Sequence, residues 1–323
     1  MNLLVTGGAG YIGGTVAALL LRAGHQVTVL DNLCHSLRGG VPDGAEFIEL
    51  DIADRSRVER VLDELKPDGV IHFAALIEAG ESMLRPEVYF RNNTAATLAL
   101  LEAMHATGTD RIVFSSTAAV YGEPNSIPIE ETGDLAPTNA YGESKLMVER
   151  MLHWFHRIHG LHYASLRYFN VAGALHGRGE AHEPETHIIP LILDVALNRR
   201  YCFYIYGDDY STPDGTCIRD YIHVEDLADA HILALAALEK RDCMILNLGN
   251  GCGFSVKEVL EAARRVTGHP IPIKIKPRRP GDPVRLVASS EKAKTELGWR
   301  PQYPELDRIV ASAWEWHQQR YCS

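Results

Sequence analysis

Through the first half of the chain, short apolar runs alternate with longer stretches whose apolar residues recur at helical spacing. The pattern predicts strands over residues 3–6, 26–30, 47–50, 70–73, 111–115 and 162–168. Helices are expected between them over 11–23, 55–65, 82–107 and 139–159. Gly24, Pro67, Gly108 and Gly160 stand where these helices end. Strands separated by helices pair in parallel through right-handed crossovers. The fold class expected is therefore α/β, a doubly wound parallel sheet.

After Asn170 the period is lost. Residues 171–187 are rich in Gly, His and Glu, and residues 268–283 hold five prolines among basic residues. This divides the chain into a nucleotide-binding domain over 1–174 and a smaller C-terminal α/β substrate domain over 175–323. One helical segment, about 224–238, is expected to return and cover the first domain.

Composition narrows the function. Of 323 residues, 46% are hydrophobic and 23% charged, enough for a sizeable core. Lys+Arg total 32 against 42 for Asp+Glu, a net charge of −10, which argues against a nucleic-acid partner. No apolar run approaches the roughly 18 residues of a membrane span. No basic region precedes the first apolar residues, so no signal peptide is expected. Cysteines 34, 202, 217, 243, 252 and 322 form no CxxC and no zinc-spaced cluster. No metal is expected, and the compartment is taken to be the reducing cytoplasm.

The chemistry starts at Gly7-Gly8-Ala9-Gly10-Tyr11-Ile12-Gly13, set between a strand and a helix. Glycines let the backbone approach a pyrophosphate, and the helix N-terminus offers it free N–H groups. Either glycines 8, 10 and 13 or glycines 7, 10 and 13 fit the spacing. Asp31 ends the second strand, 18 residues after Gly13. A carboxylate there accepts hydrogen bonds from an adenosine ribose and repels a 2′-phosphate, which favours NAD over NADP. Tyr141 and Lys145 stand at i and i+4 on a long helix, on one face. A free phenol ionises near pH ~10. A neighbouring ammonium and a cationic nicotinamide should lower that value and make it a base. Ser115, Ser116 and Thr117 follow at a strand's C-terminal end, where parallel sheets hold their ligands.

Together with VTGGAGYIG at 5–13, LDNLCHS at 30–36 and HFAALIEAGES at 72–82, these residues resemble the extended short-chain dehydrogenase/reductase superfamily, a Rossmann-like fold. FSSTAAVYG at 114–122, YGESKLMVE at 141–149 and RYFN at 167–170 extend the likeness. RDYIHVEDLA at 219–228, RRPGDP at 278–283 and ELGWRP at 296–301 make it closest to the UDP-glucose 4-epimerase family. The resemblance implies a tightly held NAD, with Gly7, Gly10, Tyr11, Ile12 and Gly13 on its pyrophosphate. Asp31, Asn32, Leu33, Cys34, His35 and Ser36 would surround the adenosine, and Asp51 and Ile52 would flank adenine. Phe73, Ala74, Ala75, Leu76, Ile77 and Asn93 would line the cofactor. Ser115, Tyr141, Lys145 and Phe169 would meet its nicotinamide end, with Lys145 on the ribose. A UDP-hexose would meet Thr117, Tyr141, Asn170, His187, Arg219, Arg279 and Asp282.

Three positions depart from the family pattern: Ile77 where many members have Lys, Thr117 rather than Ser, and His187 where Asn is frequent. The activity implied is 4-epimerisation of a UDP-sugar, with Tyr141, Lys145 and Thr117 catalytic. A 4,6-dehydratase or decarboxylase would need acid–base carboxylates just after Thr117, where Ala118 and Ala119 stand. A non-catalytic NAD-binding scaffold would be expected to lose Tyr141 or Lys145. The helices over 82–107 and 139–159 carry more apolar surface than one core-facing stripe requires. Met147, Met151, Trp154 and Ile158 recur on one side of the second, and Leu152 and Phe155 lie towards another. A homodimer through these helices is expected.

Overall fold

The computed structural model describes residues 1–322 apart from His176, Glu183, Pro280 and Gly281. Pro280 and Gly281 of the RRPGDP segment thus lie outside the described residues. Seven parallel strands form the main sheet: β1 (Asn2–Thr6), β2 (Gln26–Asp31), β3 (Glu46–Glu49), β4 (Gly69–His72), β5 (Arg111–Thr117), β6 (His162–Tyr168) and β7 (Cys243–Leu248). Their order across the sheet is β7-β6-β5-β4-β1-β2-β3.

Both faces are covered, which is why the strands read as continuous apolar runs. Alternate residues serve opposite faces. Leu3 and Val5 pack under helices α1 (Tyr11–Arg22) and, further along the chain, Val224–Ala237, while Leu4 packs under the other layer. That layer is α2 (Arg55–Leu65), α3 (Ala96–Thr107) and α4 (Ala140–His159), which contribute Leu62, Leu100 and Leu152.

Two expectations change. A single helix over 82–107 is not formed. A short turn, Ala79–Ser82, precedes a break, and the helical run restarts at Pro86 and reaches Thr107 through a wide-turned segment, Phe90–Ala95. The residue before a proline is pushed out of the α region, and Arg85 has φ −138° and ψ 58°. Pro86 itself suits a first helical turn. The second change concerns β7, which lies in the second half yet completes the sheet beside β6. With the helix Val224–Ala237 packed against α1, residues 224–248 belong physically with the main sheet.

Helices Ile188–Ala196, Val256–Thr267 and Leu306–Tyr321 enclose a separate core around Ile192, Leu260 and Ile309. Two buried carboxylates of the RDYIHVEDLA segment are spent on backbone. Asp220 accepts from the N–H groups of Asn250, Gly251 and Ala288, and Asp226 from those of Gln302 and Tyr303. The Asp220 bonds tie loops of the second half to Ile218–His223, the strand that carries Arg219, and the Asp226 bonds tie residues 302–303 to the helix Val224–Ala237.

Candidate functional site

A cavity of about 1290 Å³ opens at the C-terminal ends of the main-sheet strands, between the sheet and the second core. Gly7, Gly10, Tyr11, Ile12 and Gly13 form one wall. Gly7 has φ +70°, and a Cβ on it would fall 2.5 Å from the Ala74 nitrogen. A Cβ on Gly13 would fall 2.4 Å from the Gly7 carbonyl oxygen. Gly8 instead packs on the Val29 methyls, so glycines 7, 10 and 13 are the set that faces the cavity. Gly10 caps α1 without any side-chain bond, and a Cβ there would meet only the Gly7 oxygen, at 3.4 Å. The backbone is thus bare towards open space at a helix N-terminus, a cradle that fits a dinucleotide's pyrophosphate.

Asp31 joins this turn to the next loop. Its Oδ2 accepts from the Ala9 N–H at 3.0 Å, and its Oδ1 from the Leu33 N–H at 2.9 Å and the Ser36 hydroxyl at 2.8 Å. Asn32 donates to Asp51 at 2.9 Å, which ties the loop after β2 to the one after β3. Asn32, Cys34, His35, Ser36, Asp51 and Ile52 line the cavity with Asp31. So do Phe73, Ala74, Ala75, Leu76, Ile77, Ser115, Thr117, Tyr141, Lys145, Phe169, Asn170, His187, Arg219 and Arg279.

Among the described residues, three expected contacts do not line it: Leu33, Asn93 and Asp282. Leu33 sits at φ +56° behind Asp31. Asn93 is buried and holds the lining from behind, bonding Leu76 N–H at 2.8 Å, Leu76 O at 2.9 Å and Ser144 Oγ at 3.1 Å. Asp282 binds the guanidiniums of both Arg219 and Arg279, and so keeps the two cations side by side on the wall.

At the reacting end, Asn139 caps α4 by accepting from the Gly142 N–H at 2.8 Å. Two residues after Asn139, Tyr141 lines the cavity together with Thr117, close enough for the Thr117 hydroxyl to favour its phenolate. Lys145 Nζ donates to the Ser115 carbonyl at 2.8 Å and lies 4.9 Å from the Phe114 ring centre. Burial lowers Lys145 to about 7. Burial also raises Tyr141 above its ordinary value, Glu78 adds to this, and the Thr117 hydroxyl only partly opposes it. The protein alone therefore does not lower the phenol's pKa as the Tyr/Lys spacing suggested, because the phenol's own burial outweighs what favours its charge. The Ser115 hydroxyl is engaged by the Tyr168 hydroxyl, which leaves the Ser115 carbonyl as the group that meets Lys145.

His187 caps the helix Ile188–Ala196 and bonds Glu185 at 2.8 Å, with Glu180 at 4.0 Å. Burial opposes its charge, but these carboxylates prevail and hold it at about 9. Ligand atoms of Glu180, Glu185 and His187 lie within 4.8 Å of one another. Glu78 was not foreseen. It lines the cavity and receives His182 at 3.1 Å and the Thr186 hydroxyl at 3.1 Å, tying these two residues to the segment after β4. The only signal for this was the His/Glu-rich composition of 171–187, which has no period.

The family model for the NAD dependent epimerase/dehydratase family matches residues 3–249. The chain is 54% identical to a UDP-glucose 4-epimerase of Streptomyces lividans, over 97% of this chain and 95% of that one. Among solved structures, a UDP-glucose 4-epimerase from Brucella ovis in complex with NAD superposes with a TM-score of 0.95 at 44% identity, covering 97% of each chain. One from Bifidobacterium longum, in complex with NAD+ and UDP, superposes at 0.94 with 40% identity, covering 100% of this chain and 99% of that one.

Proposed function

The chain belongs to the NAD dependent epimerase/dehydratase family, and from that premise we propose that it is a UDP-glucose 4-epimerase, interconverting UDP-galactose and UDP-glucose through a transient 4-keto sugar. The observation that carries this reading is the pairing of Tyr141 with Thr117 on the cavity wall, followed by two methyl side chains, Ala118 and Ala119. The set can move one proton at a sugar hydroxyl, and the two positions after Thr117 carry no acid or base for eliminating water.

Tyr141 takes the proton of the 4-hydroxyl and gives it back, with Thr117 sharing the hydrogen bond. Gly7, Gly10 and Gly13 would cradle NAD, with Asp31 and Lys145 facing it, and when bound it would supply the oxidation and re-reduction of C4 with no net redox change. Arg219 and Arg279, aligned by Asp282, bracket the diphosphate. His187 lines the same cavity with its charge paired to Glu185. Held by its diphosphate, the hexose is free to turn and present its other face.

The reading includes galactose metabolism in the cytoplasm. Six free cysteines suit a reducing compartment, and no helix is long and apolar enough to cross a membrane among the described residues. It also includes a homodimer through α3 and α4.

The test is incubation of the purified protein with UDP-galactose, UDP-N-acetylgalactosamine and UDP-arabinose separately, with product separation and absorbance at 340 nm. UDP-glucose should form from UDP-galactose without accumulating NADH. Absence of UDP-glucose, or a dehydrated product, would refute the reading.

A further inference from the structure

Glu149 stands on the same stripe of α4 as Tyr141 and Lys145, four residues beyond the lysine. The three positions grip three consecutive residues at the end of β5. Tyr141 faces Thr117 across the cavity wall, Lys145 Nζ donates to the Ser115 carbonyl at 2.8 Å, and the Ser116 hydroxyl donates to Glu149 Oε1 at 2.6 Å. Ser116 is the member of the trio whose side chain meets the far end of this stripe, and it is the residue immediately before Thr117.

The carboxylate is itself locked. Arg167 on β6 donates Nε to Oε1 at 2.9 Å and Nη2 to Oε2 at 2.5 Å, and Ser165 Oγ donates to Oε1 at 3.0 Å. Arg167 continues to the Tyr121 hydroxyl at 2.9 Å, which donates to Asn247 Oδ1 on β7 at 2.7 Å. Glu149, Arg167, Ser116 and Asn247 are all at most 4% exposed. A buried ion pair of this kind is weak evidence for stability, since well-packed apolar residues often do as well. What it supplies is direction: every bond has one geometry, and the chain of bonds crosses three adjacent strands and the helix that bears Tyr141.

We infer that Glu149, locked by Arg167, is a positioning residue for proton transfer: through Ser116 it fixes the β5 end against α4 and thereby holds Thr117 against Tyr141. The inference rests on the proposed epimerase reading for its kinetic consequence, not for its geometry.

Two single hydroxyl deletions separate positioning from plain stability. Ser116→Ala and Ser165→Ala each remove one hydrogen bond to the same buried oxygen, but only Ser116 connects it to the strand end that carries Thr117. In the NAD-loaded enzyme, Ser116→Ala should lower kcat for UDP-galactose about tenfold, because small misplacements of reacting groups are costly. KM should stay within about twofold, the signature of an interaction that matters in the transition state. The Tyr141 ionisation, followed as phenolate absorbance at 295 nm and corrected with Tyr141→Phe, should move to higher pH. Ser165→Ala should lower the melting temperature by a similar amount and leave kcat and the phenolate titration near wild type. Equal kinetic losses in both variants, or a wild-type kcat and titration in Ser116→Ala, would overturn the inference. If the wild-type protein does not convert UDP-galactose, the proposed function fails, and the phenolate titration of the two variants still decides the positioning role.

Discussion

Lys145 Nζ is bonded to the carbonyl oxygen of Ser115 at 2.8 Å, so the cation of the Tyr-x-x-x-Lys pair is anchored on the strand end rather than spent on the phenol. Four residues away, Tyr141 is held above its ordinary pKa by burial. A positive charge that enters with the ligands, such as a cationic nicotinamide, would favour the phenolate.

Tyr141→Phe keeps the ring and removes the proton carrier. Turnover of UDP-galactose should fall by about 100- to 10,000-fold, the usual worth of general acid–base catalysis. The nucleotide released on denaturation should be unchanged in amount. Near wild-type turnover would remove Tyr141 from the role.

Gly13→Ala tests the cradle. The new Cβ would stand 2.4 Å from the Gly7 oxygen and 2.9 Å from Gly8 Cα, both backbone atoms that cannot swing aside. The turn must open, at a cost of about 1–3 kcal/mol typical of overpacking. The purified variant should carry much less than the wild-type NAD content, measured by denaturing fresh protein and separating the nucleotides. The wild type should release NAD and not NADP, since the Asp31 carboxylate lines the cavity and would repel a 2′-phosphate. Recovery of mainly NADP from the wild type would contradict the role given to Asp31.

These two tests concern the parts most legible in the sequence. Gly7, Gly10 and Gly13 lie within seven residues, and Tyr141 and Lys145 are one helical turn apart, so local periodicity alone brings each set together. The sheet was legible through residue 168 for the same reason. β7 was not, because a lone apolar run has no neighbour in sequence to reveal that it pairs with β6, some 80 residues earlier. Glu78 with His182 and Thr186 was equally hidden, since the contact joins residues over 100 apart through ion-pair geometry that leaves no spacing rule. Pro86 was the readable sign that a helix over 82–107 would break, and the apolar pattern around it masked the break.

Acid stability should be governed partly by a buried histidine. His72 bridges Thr6 Oγ1 at 2.6 Å and Thr97 Oγ1 at 2.9 Å. The Thr97 hydroxyl donates to the Asn93 carbonyl, so the neutral ring donates from Nε2 and accepts at Nδ1. Burial, reinforced by Lys145, lowers its pKa to about 3. Below pH ~6.5 the unfolded chain binds a proton that the folded chain refuses, so stability falls as pH drops from there towards about 3 and is fully present above 6.5. His231, lowered to about 4 by burial, acts in the same direction. Urea midpoints measured between pH 4 and 7 should therefore decline on acidification, and His72→Gln should show a shallower decline from a lower starting stability. An equal slope in the variant would exclude His72 as a contributor.

The last test concerns assembly, and it turns on which side of α4 is covered. Leu152 is fully buried against the sheet, and Met151 and Phe155 pack beside it on the same core. Met151 therefore belongs partly to the inner face, not to a single outer row with its neighbours. Trp154 and Ile158 point away, at 56% and 66% exposure, and Met147 and, on α3, Leu98 are also exposed. A tryptophan and an isoleucine left bare one turn apart form the kind of apolar surface that a second copy covers in a two-fold interface. Light scattering at micromolar concentration should give about twice the chain mass of 35.8 kDa. Trp154→Arg should shift the protein towards the single-chain mass without unfolding it, because this ring contributes little to the chain's own core. Since Tyr141 and Lys145 sit on the same helix, turnover should fall as the dimer dissociates. A single-chain mass for the wild type, or an undiminished dimer in Trp154→Arg, would place the interface elsewhere or remove it.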